Sequence, residues 1–321
     1  MDYPRVSVIV TAHNRPEYLI EALTSLKKQT APYDSFEVIV VKDYQMDLKT
    51  IDIGKMDVRF IDLTETDLVS KHVAGIRNSR GDYIALMDDD DLFASIKIEC
   101  ILRASSNMTG MSFYFNEKNF FNERLESMEE LTAVRDSGTE SFTRDNFTSR
   151  RLNRNTPWYN LSSMVIGRKL AILGTEIIGE FRREIDPLWY LIALENADLI
   201  LHDRSHLTFY RRHTGGVSRS DNREKICRYA KQALESYDKM AGLFIEKATI
   251  ERLILMRSEW EAKSRILGCL VSNGNFFSLV FKFLRSLGSN SPKDPTKLII
   301  LLFVSCMSVE VASQIYPRFY M

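Results

Sequence analysis

The sequence predicts an α/β fold, in which a mostly parallel β-sheet is covered by helices and followed by a C-terminal helical extension. Short, continuously apolar stretches alternate with stretches of helical periodicity through the first half of the chain. The apolar stretches show little polar alternation, which is typical of strands buried on both faces of a parallel sheet. These two observations favour a doubly covered sheet over a sandwich or a helical bundle.

The first elements follow one another in a strand–helix order. Residues 5–12, "RVSVIVTA", are rich in β-branched residues and predict a strand. Pro16 suits the first turn of a helix, and the "EYLIEALTSLKKQ" that follows carries apolar residues at helical spacing. Residues 36–43, "FEVIVVKD", and 58–63, "VRFIDL", predict the second and third strands.

A fourth strand closes this part of the pattern. A helix-like stretch over 67–79 leads through Gly81 into the strand "YIALM", residues 83–87. Residues 92–108, "LFASIKIECILRASSNM", then return to a helical period and predict a helix.

The periodicity is weaker after Met111. The stretch "MSFYFNE" predicts a strand, "SSMVIGRKLAIL" a strand followed by a helix, and "DPLWYLIALENA" a helix. The stretch "ADLILHDRSHLTFYRRH" predicts two short strands around a turn, and nearly everything beyond Ser220 has helical periodicity. We therefore expect an α/β domain over 1–220, with halves 1–107 and 108–220, and a helical extension over 221–321.

Composition limits the classes of partner. The chain has 321 residues, 45% of them hydrophobic, which is enough for a sizeable core. Lys and Arg together number 43, as do Asp and Glu, so the chain has no net charge to suggest a nucleic-acid partner. The cysteines are far apart and form no CxxC pair, which argues against structural zinc and disulfides and fits a reducing cytoplasm. They are Cys100, Cys227, Cys269 and Cys306.

The C-terminal tail is apolar and basic. Residues 297–309, "KLIILLFVSCMSV", are shorter than the ~20 residues that cross a bilayer. Residues 275–288, "NFFSLVFKFLRSLG", alternate large apolar residues with basic ones, which is typical of a segment lying on a membrane surface. The alternative is a helical extension that packs on its own domain or on a partner chain.

Four consecutive carboxylates follow the fourth strand, in "GDYIALMDDDDLF". Ligands of open α/β sheets bind beyond the carboxyl ends of the strands. Carboxylates this crowded need a compensating cation or must take up protons. Because alternate residues of an extended segment point the same way, Asp88 and Asp90 can share a face and hold Mg²⁺ or Mn²⁺ against a diphosphate.

Two other interpretations apply to this acidic motif. An acidic cluster can be a solvated turn, and Asp91 before "LFASIK" can be a helix N-cap. An EF-hand loop is excluded because the required Gly and closing Glu are missing.

Three stretches, taken in order and spacing, carry a family resemblance. They are "VSVIVTAHNRPEYLIEALTSLKKQT", "FEVIVVKD" and "GDYIALMDDDDLF", and together they resemble the nucleotide-binding half of family 2 glycosyltransferases. The resemblance covers residues 5–107 and continues more weakly to about residue 220. It implies a Rossmann-like GT-A fold and a metal-dependent, inverting transfer from a nucleotide sugar, with UDP as the expected nucleotide. A glycan or lipid-linked glycan is the implied acceptor.

The resemblance also implies residue roles at the donor end. Thr11, Ala12 and Arg15 would lie against the nucleobase, and Asp43 would hold the base or the ribose. The acids Asp88 and Asp89 would contact the nucleotide, and Asp88 and Asp90 would bind Mn²⁺ or Mg²⁺. The plainer alternatives are that Thr11 only completes a strand end and that Asp43 is an ordinary loop residue.

One departure from the family pattern concerns a cation. Relatives often have Ala-Arg-Asn upstream of the acidic motif, where this chain has Lys71, His72 and Val73. We expect Lys71 or His72 to supply the cation that faces the diphosphate, without the geometry of arginine.

The catalytic base is expected in "GEFRREIDPLWYLIAL". Inverting transfer needs a base that takes a proton from the acceptor hydroxyl. Family members place an acidic pair before "LW", which here corresponds to Glu184 and Asp186. We take Asp186 as the base and keep Glu184 as the alternative; Asp186 could also cap the helix that Pro187 begins.

Further candidates lie in the second half of the chain. The stretch "FYRRHTGGVS" offers His213 as a third metal or diphosphate ligand, although such a histidine can be an ordinary surface residue. Trp158, Tyr159 and Trp189 could stack on sugar rings or fill the core.

Two other functions compete with sugar transfer. Nucleotidyl transfer would need a glycine-rich phosphate loop after the first strand, and "TAHNRPEY" has no glycine. A non-catalytic nucleotide-sugar-binding protein of the same fold remains an alternative. The sequence makes no prediction of oligomeric state.

Overall fold

The computed structural model describes residues 5–47, 51–65, 67–122, 138–143, 160–212, 223–266 and Cys269. The described elements up to Arg212 form one compact unit, and residues 223–266 with Cys269 belong to a second. His213, Trp158, Tyr159 and the apolar tail lie outside the described residues. The domain boundaries at 107 and 220 stay predictions.

The first unit is built on one mixed sheet. Its described strands are β1 (Val6–Ala12), β2 (Phe36–Lys42), β3 (Asp57–Asp62), β4 (Tyr83–Asp88), β5 (Leu92–Phe93), β6 (Ser112–Asn122), β7 (Thr139–Thr143), β8 (Met164–Gly167) and β9 (Leu199–Arg212). They lie in the order β3-β2-β1-β4-β8-β6-β9-β5, and β7 also pairs with β9. Strands β1 to β4 pair in parallel, and β8 runs antiparallel to β4 and β6. The predicted α/β fold with a mostly parallel central sheet is confirmed.

The helices of the first unit are α1 (Pro16–Lys27), α2 (Leu68–Asn78), α3 (Lys97–Ala104), α4 (Arg168–Ile178) and α5 (Ile185–Asn196). Helix α1 begins with Pro16, as the sequence indicates, and buries Leu19 and Leu23 in the core. Helix α2 is capped by Asp67, whose side chain accepts a hydrogen bond from the backbone N–H of Ser70.

Close packing of helices on the sheet fixes how the carboxyl ends of neighbouring strands align. Every residue of β1 is buried, and Val8 and Val10 belong to the same apolar cluster as the buried face of α1. A Cβ added at Gly75 of α2 would lie 2.4 Å from Cγ2 of Ile9, so this helix contacts β1 where only glycine fits. The ends of β1, β2 and β4 are thereby held rigidly side by side.

A buried carboxylate, Glu37 of β2, ties three segments together. Its side chain accepts hydrogen bonds from Oγ of Ser7 at 2.6 Å and from the backbone N–H of Arg80 at 2.6 Å. Arg59 and the Arg80 guanidinium also donate to it. Burial raises the pKa of Glu37, but these hydrogen bonds outweigh burial and hold the pKa below its ordinary value of 4.5.

Two predicted elements are wrong in detail. The stretch 92–108 is not all helical, because Leu92–Phe93 pairs with β9 as a short strand and α3 begins only at Lys97. The stretch 197–213 is not two strands around a turn. Strand β6 continues to Asn122 and offers β9 a partner along its length, while the register shifts between Asn116 and Lys118 absorb the extra residues of β9.

The second unit contains α6 (Arg223–Met240) and α7 (Lys247–Ile266), which pack against each other. Its buried apolar residues include Leu234 and Tyr237 of α6 and Leu253 of α7. No described helix is long and apolar enough to cross a membrane.

The expectation of unpaired cysteines is wrong for one pair. Cys227 of α6 and Cys269 form a disulfide, with their Cα atoms 5.2 Å apart and a sequence separation of 42 positions. Spacing alone did not indicate the pair, because the packing of α7 on α6 brings the two cysteines together. Among the cysteines that the structure describes, Cys100 is a buried free thiol.

Replacing Glu37 should test how much the buried carboxylate contributes to the fold. We expect Glu37→Gln to lower the free energy of unfolding by roughly 1.5–3 kcal/mol at pH 7, because hydrogen bonds to a charged group are lost. Since the folded pKa is depressed, this contribution is present above pH 4.5 and is lost as the pH falls through the folded pKa. Urea unfolding at pH 7 and pH 4 measures both effects.

The control for this experiment is Asp52→Asn, which removes an exposed partner of Lys27. It should leave the unfolding midpoint unchanged. A Glu37→Gln protein as stable as the wild type at pH 7 would contradict the assignment.

The disulfide predicts a covalent link between two peptides of the second unit. Proteolysis without reductant should yield a Cys227–Cys269 cross-linked peptide that reductant separates. Cys227→Ser should lower the thermal stability of the second unit, since a closed loop of this length contributes about 2–4 kcal/mol. Mass spectrometry and thermal unfolding followed by circular dichroism measure the two outcomes, and alkylation of both thiols in protein that has been incubated with oxidised glutathione would contradict the pairing.

Candidate active site

The candidate site lies where three parallel strands end side by side. Thr11 of β1 is in register with Asp88 of β4, and Ala12 is in register with Lys42 of β2. The residues that follow, His13 and Asp43, therefore lie beside the acidic turn after β4. This is the crevice beyond the carboxyl ends of the sheet in which α/β proteins bind ligands.

Asp43 forms the first part of the site. Its side chain is 2% exposed, and its Oδ2 lies 2.8 Å from Nζ of Lys71 and 2.5 Å from Nδ1 of His13. Burial raises the pKa of Asp43, but hydrogen bonds from Lys71 and His13 outweigh burial and lower it overall. Its Oδ1 is buried and has no hydrogen-bond partner, so it can accept an N–H or O–H from a ligand.

Neither Lys71 nor His72 lies in the structure as a free cation beside a diphosphate. Lys71 is 2% exposed and donates to Asp43 and to the carbonyl oxygen of Ala12, so it joins β1 to β2. His72 is fully buried, and burial together with the charge of Lys71 lowers its pKa to about 3. The imidazole is therefore neutral, and the prediction that His72 could supply a cation is wrong.

The acidic turn forms the second part of the site. Asp88, Asp90 and Asp91 each offer one carboxylate oxygen, and these atoms all lie within 4.8 Å of one another. Burial raises the pKa of Asp88 well above its ordinary value, and Asp90 and Asp91 add to the effect. Three oxygen donors that repel one another at this distance fit a hard divalent cation.

Asp91 is not the helix N-cap considered from sequence, because α3 begins only at Lys97 and its N-cap is Ile96. It is buried, its Oδ2 accepts a hydrogen bond from Nδ2 of Asn160 at 3.0 Å, and its Oδ1 accepts from the backbone N–H of Arg211 at 3.1 Å. Burial, and then the charge of Asp90, raise the pKa of Asp91 to about 6. The structure thus places a third acid beside the predicted pair of metal ligands.

Arg15 and Asp89 position the turn. Arg15 donates to Asp89 at 2.5 Å and also pairs with Asp90. The second oxygen of Asp89 accepts the backbone N–H of His13 at 2.8 Å, and the side chain is 0% exposed. Both oxygens of Asp89 are used within the protein, so this geometry ties β1 to the turn and does not support its predicted contact with a nucleotide. Arg15 was predicted to lie against the nucleobase, but its guanidinium contacts the carboxylates of Asp89 and Asp90 instead.

Thr11 and Ala12 complete the strand end. Oγ1 of Thr11 donates to Oδ1 of Asp88 at 3.4 Å, a long hydrogen bond, and Ala12 is fully buried. Contact with a nucleobase by these two residues stays a prediction.

The predicted base lies in the first turn of α5. Asp186 follows Ile185, the first helical residue, and Glu184 occupies the N-cap position with a left-handed φ of 60°. Asp186 is therefore not the N-cap. Burial and the charge of Glu184 raise the pKa of Asp186 to about 6, while Lys118 lowers it. Asp186 also lies within electrostatic range of Asp88, so the structure brings the predicted base to the acidic turn.

Sequence reasoning missed two cations of the site. Arg211 is buried, donates from Nε to the carbonyl oxygen of Asp90 at 2.8 Å and lies over the rings of Tyr18 and Phe121 at 4.4 and 4.6 Å. Lys118 of β6 is half-buried within electrostatic range of Asp91 and Asp186. Arg211 stands in the "FYRRH" stretch that was considered only for its histidine, and Lys118 had no sequence signal.

Trp189 does not line the site. It is 1% exposed, and a Cβ added at Gly174 would lie 2.1 Å from Cζ3 of its ring. Trp189 therefore fills the contact between α4 and α5, so of the two interpretations considered from sequence the structure supports core filling and not stacking on sugar rings.

The family of the chain follows from the sequence as well as from this arrangement. Residues 7–170, half of the chain, match the family described as Glycosyl transferase family 2. The chain belongs to this family and is a glycosyltransferase.

Relatives agree with this assignment. EpsH of Bacillus subtilis, whose name places it among the glycosyltransferases, is 25% identical over 99% of this chain and 97% of its own. An uncharacterized glycosyltransferase of Rickettsia felis is 35% identical over 31% of this chain, which is 17% of that protein.

Solved structures confirm the GT-A fold. TarS of S. aureus (residues 1–349), in complex with UDP-GlcNAc, has a TM-score of 0.56 and 15% identity, over 98% of this chain and 92% of its own. A mannosyltransferase of Pyrobaculum calidifontis, in complex with GDP-Man and Mn²⁺, has a TM-score of 0.53 and 12% identity, over 98% and 87%.

The acidic turn predicts coupled binding of metal and nucleotide. In the wild type, Mn²⁺ should tighten UDP binding by about 10-fold or more, because the cation links the carboxylates to the diphosphate. Replacing Asp88 and Asp90 together by Asn should remove this enhancement. Titration calorimetry with UDP, with and without Mn²⁺, measures it.

The matched control is Asp62→Asn, the same change at an exposed acid that ends β3. It should keep the full enhancement. An enhancement that persists in the double variant would contradict the metal site.

Proposed function

We propose that this glycosyltransferase is metal-dependent and inverting, and that it moves a sugar from a UDP-linked donor to a glycan or a lipid-linked glycan. One observation carries the proposal. Asp88, Asp90 and Asp91 crowd together at the end of β4, and Asp186 lies within their electrostatic range. A donor diphosphate and an acceptor hydroxyl need these two kinds of acid on opposite sides of the transferred sugar.

At the donor end, the nucleoside would bind beside Asp43. The unpartnered Oδ1 of this buried acid supplies an acceptor for an N–H of the base or an O–H of the ribose. The solved structures support a nucleotide sugar as donor, since one relative by fold holds UDP-GlcNAc and another holds GDP-Man with Mn²⁺.

At the diphosphate, Asp88 and Asp90 would hold Mn²⁺ or Mg²⁺, with Asp91 as a further oxygen donor. When bound, the cation stabilises negative charge on the departing diphosphate. Arg15 and Arg211 hold the turn from its two sides, through the carboxylates of Asp89 and Asp90 and through the carbonyl oxygen of Asp90. The turn is thus preorganised for a cation before the donor arrives. The candidate ligand His213 stays a prediction.

At the acceptor end, Asp186 would take the proton of the attacking hydroxyl. Its pKa of about 6 leaves it mostly ionised at neutral pH and still basic enough to accept a proton. Glu184 is buried next to it and raises its pKa, so Glu184 acts as a tuning residue in this proposal.

A cytoplasmic location, at the cytoplasmic face of the membrane, stays a proposal from the cysteine spacing and the sequence of the tail. The redox state of Cys227 and Cys269 in intact cells tests it, because a reducing compartment keeps such a pair as thiols until the protein is oxidised after lysis. A disulfide that is already formed in intact cells would contradict a cytoplasmic location.

Donor turnover and its pH dependence test the proposed base. With UDP-sugars and Mn²⁺, Asp186→Asn should lower kcat by roughly 100- to 10,000-fold while leaving UDP affinity unchanged. The kcat/KM of the wild type should rise with pH through a pKa of about 6, as Asp186 loses its proton. In Glu184→Gln this limb should move to lower pH, because a neighbouring negative charge is removed.

The control is Glu176→Gln, which changes an exposed acid of α4 and should leave the profile unchanged. If no UDP-sugar in a broad panel is turned over, with or without Mn²⁺, the proposed reaction is wrong. If Asp186→Asn retains full activity, the base is another residue.

A further inference from the structure

Strands β6 and β9 stay paired past the register shift, where β9 also pairs with β5 at Thr208 and Phe209, and the two faces of the β6–β9 pair differ. In this parallel pair, Phe120 is in register with Tyr210, and Asn122 with Arg212. Because side chains alternate along a strand, Phe121 and Arg211 lie on the face that contacts Tyr18 of α1. The opposite face carries a cluster that we name the cationic–aromatic face. Its members are Lys118, Phe120, Tyr210 and Arg212.

The cationic–aromatic face is held together by cation–π contacts. Nζ of Lys118 lies 4.4 Å from the centroid of the Tyr210 ring, and the guanidinium carbon of Arg212 lies 4.0 Å from that of Phe120. The two rings meet edge to face at 5.8 Å. Phe120 nevertheless remains 46% exposed, so its ring is accessible to a ligand.

This face lies beside the reacting groups. Asp91, Asp186 and Asp88 all act electrostatically on Lys118, and the first two act more strongly than the last. Asp88, Asp91 and Asp186 also act on Tyr210 and raise its pKa further above the value that burial sets. The face therefore adjoins the side of the site at which the acceptor must approach Asp186.

Compensating the negative charge of the acidic turn does not explain why both Lys118 and Arg212 lie on this face. Arg15 already pairs with Asp89 and Asp90, and Asp91 is held by Asn160 and by the backbone N–H of Arg211. Arg212 instead stacks on an exposed ring, and its Nε is buried without a hydrogen-bond partner. A buried donor with no partner beside an exposed aromatic ring is suited to a ligand that has both an anionic group and a sugar ring.

We propose that the cationic–aromatic face is an acceptor subsite for a sugar that carries a phosphate or a carboxylate. The ring of the acceptor packs on Phe120, and its anionic group binds Arg212, with Lys118 adding to the positive charge. The acceptor hydroxyl then lies on the Asp186 side of the site. This inference rests on the proposed function and deepens it, because it names the chemical class of the acceptor.

Three probes that differ in one group test the subsite. They are methyl glucoside, methyl glucuronide and methyl glucoside 6-phosphate, titrated against the full chain with UDP and Mg²⁺ present and followed by saturation-transfer NMR. The wild type should bind at least one anionic probe about 10-fold more tightly than the neutral probe, as expected for a charge-assisted hydrogen bond. Which of the two anions binds more tightly then distinguishes phosphate from carboxylate.

Variants separate charge from stacking. Arg212→Met should abolish the preference for the anionic probes, Arg212→Lys should keep part of it, and Phe120→Ala should weaken all three probes by a similar factor. The matched control is Arg204→Met, which removes the same charge from the same strand where Arg204 pairs with Glu140. It should leave the preference unchanged, and circular dichroism checks that each variant is folded.

The outcomes distinguish this inference from the proposed function. Equal affinity of the wild type for all three probes, or an unchanged preference in Arg212→Met, would overturn the acceptor subsite even if UDP-sugars are turned over. A preference for anions that depends on Arg212, together with turnover of a UDP-sugar, supports the acceptor subsite. The same preference without turnover of any UDP-sugar supports an anionic-sugar site on this face but overturns the proposed reaction and, with it, the role of this sugar as acceptor.

Discussion

Repulsion among carboxylates at the end of β4 is the constraint on which the rest of the structure depends. Asp88, Asp90 and Asp91 hold oxygen atoms within 4.8 Å of one another, and besides burial the charge of Asp90 raises the pKa of both Asp88 and Asp91. Such a cluster is stable only if cations and hydrogen-bond donors surround it. Arg15 from the segment before α1 and Arg211 from β9 supply them, and a divalent cation would complete the compensation.

The strand order of the sheet brings these compensating groups to the end of β4. The parallel strands β1, β2 and β4 put Thr11, Asp43 and Asp88 at a common edge, and the buried carboxylate of Glu37 links β2 to its neighbours. Strands β6 and β9 approach from the other half of the unit and carry Arg211 on one face and Lys118 on the other. Two cations of the site therefore come from opposite faces of one pair of strands.

Whether a feature could be predicted depended on whether neighbouring residues or distant segments determine it. The strands and the acidic motif could be predicted because burial on both faces of a sheet leaves a local apolar pattern. The charge state of His72 and the position of Trp189 could not be predicted from the sequence. A sequence does not distinguish a buried imidazole from an exposed one, or an indole that fills the core from one that stacks on a sugar ring. Neutral His72 and core-filling Trp189 reflect packing by distant segments.

By itself, the sequence determined the fold class, the order of the first four strands along the chain and the acids at the ends of β2 and β4. Each of these features depends on residues that are neighbours in the chain. Only the tertiary structure decided that Asp91 joins the acidic cluster, that Lys118 and Arg211 surround the site, and that Cys227 meets Cys269. These pairs lie far apart in sequence, and electrostatic and packing energies act over distance in space, not along the chain.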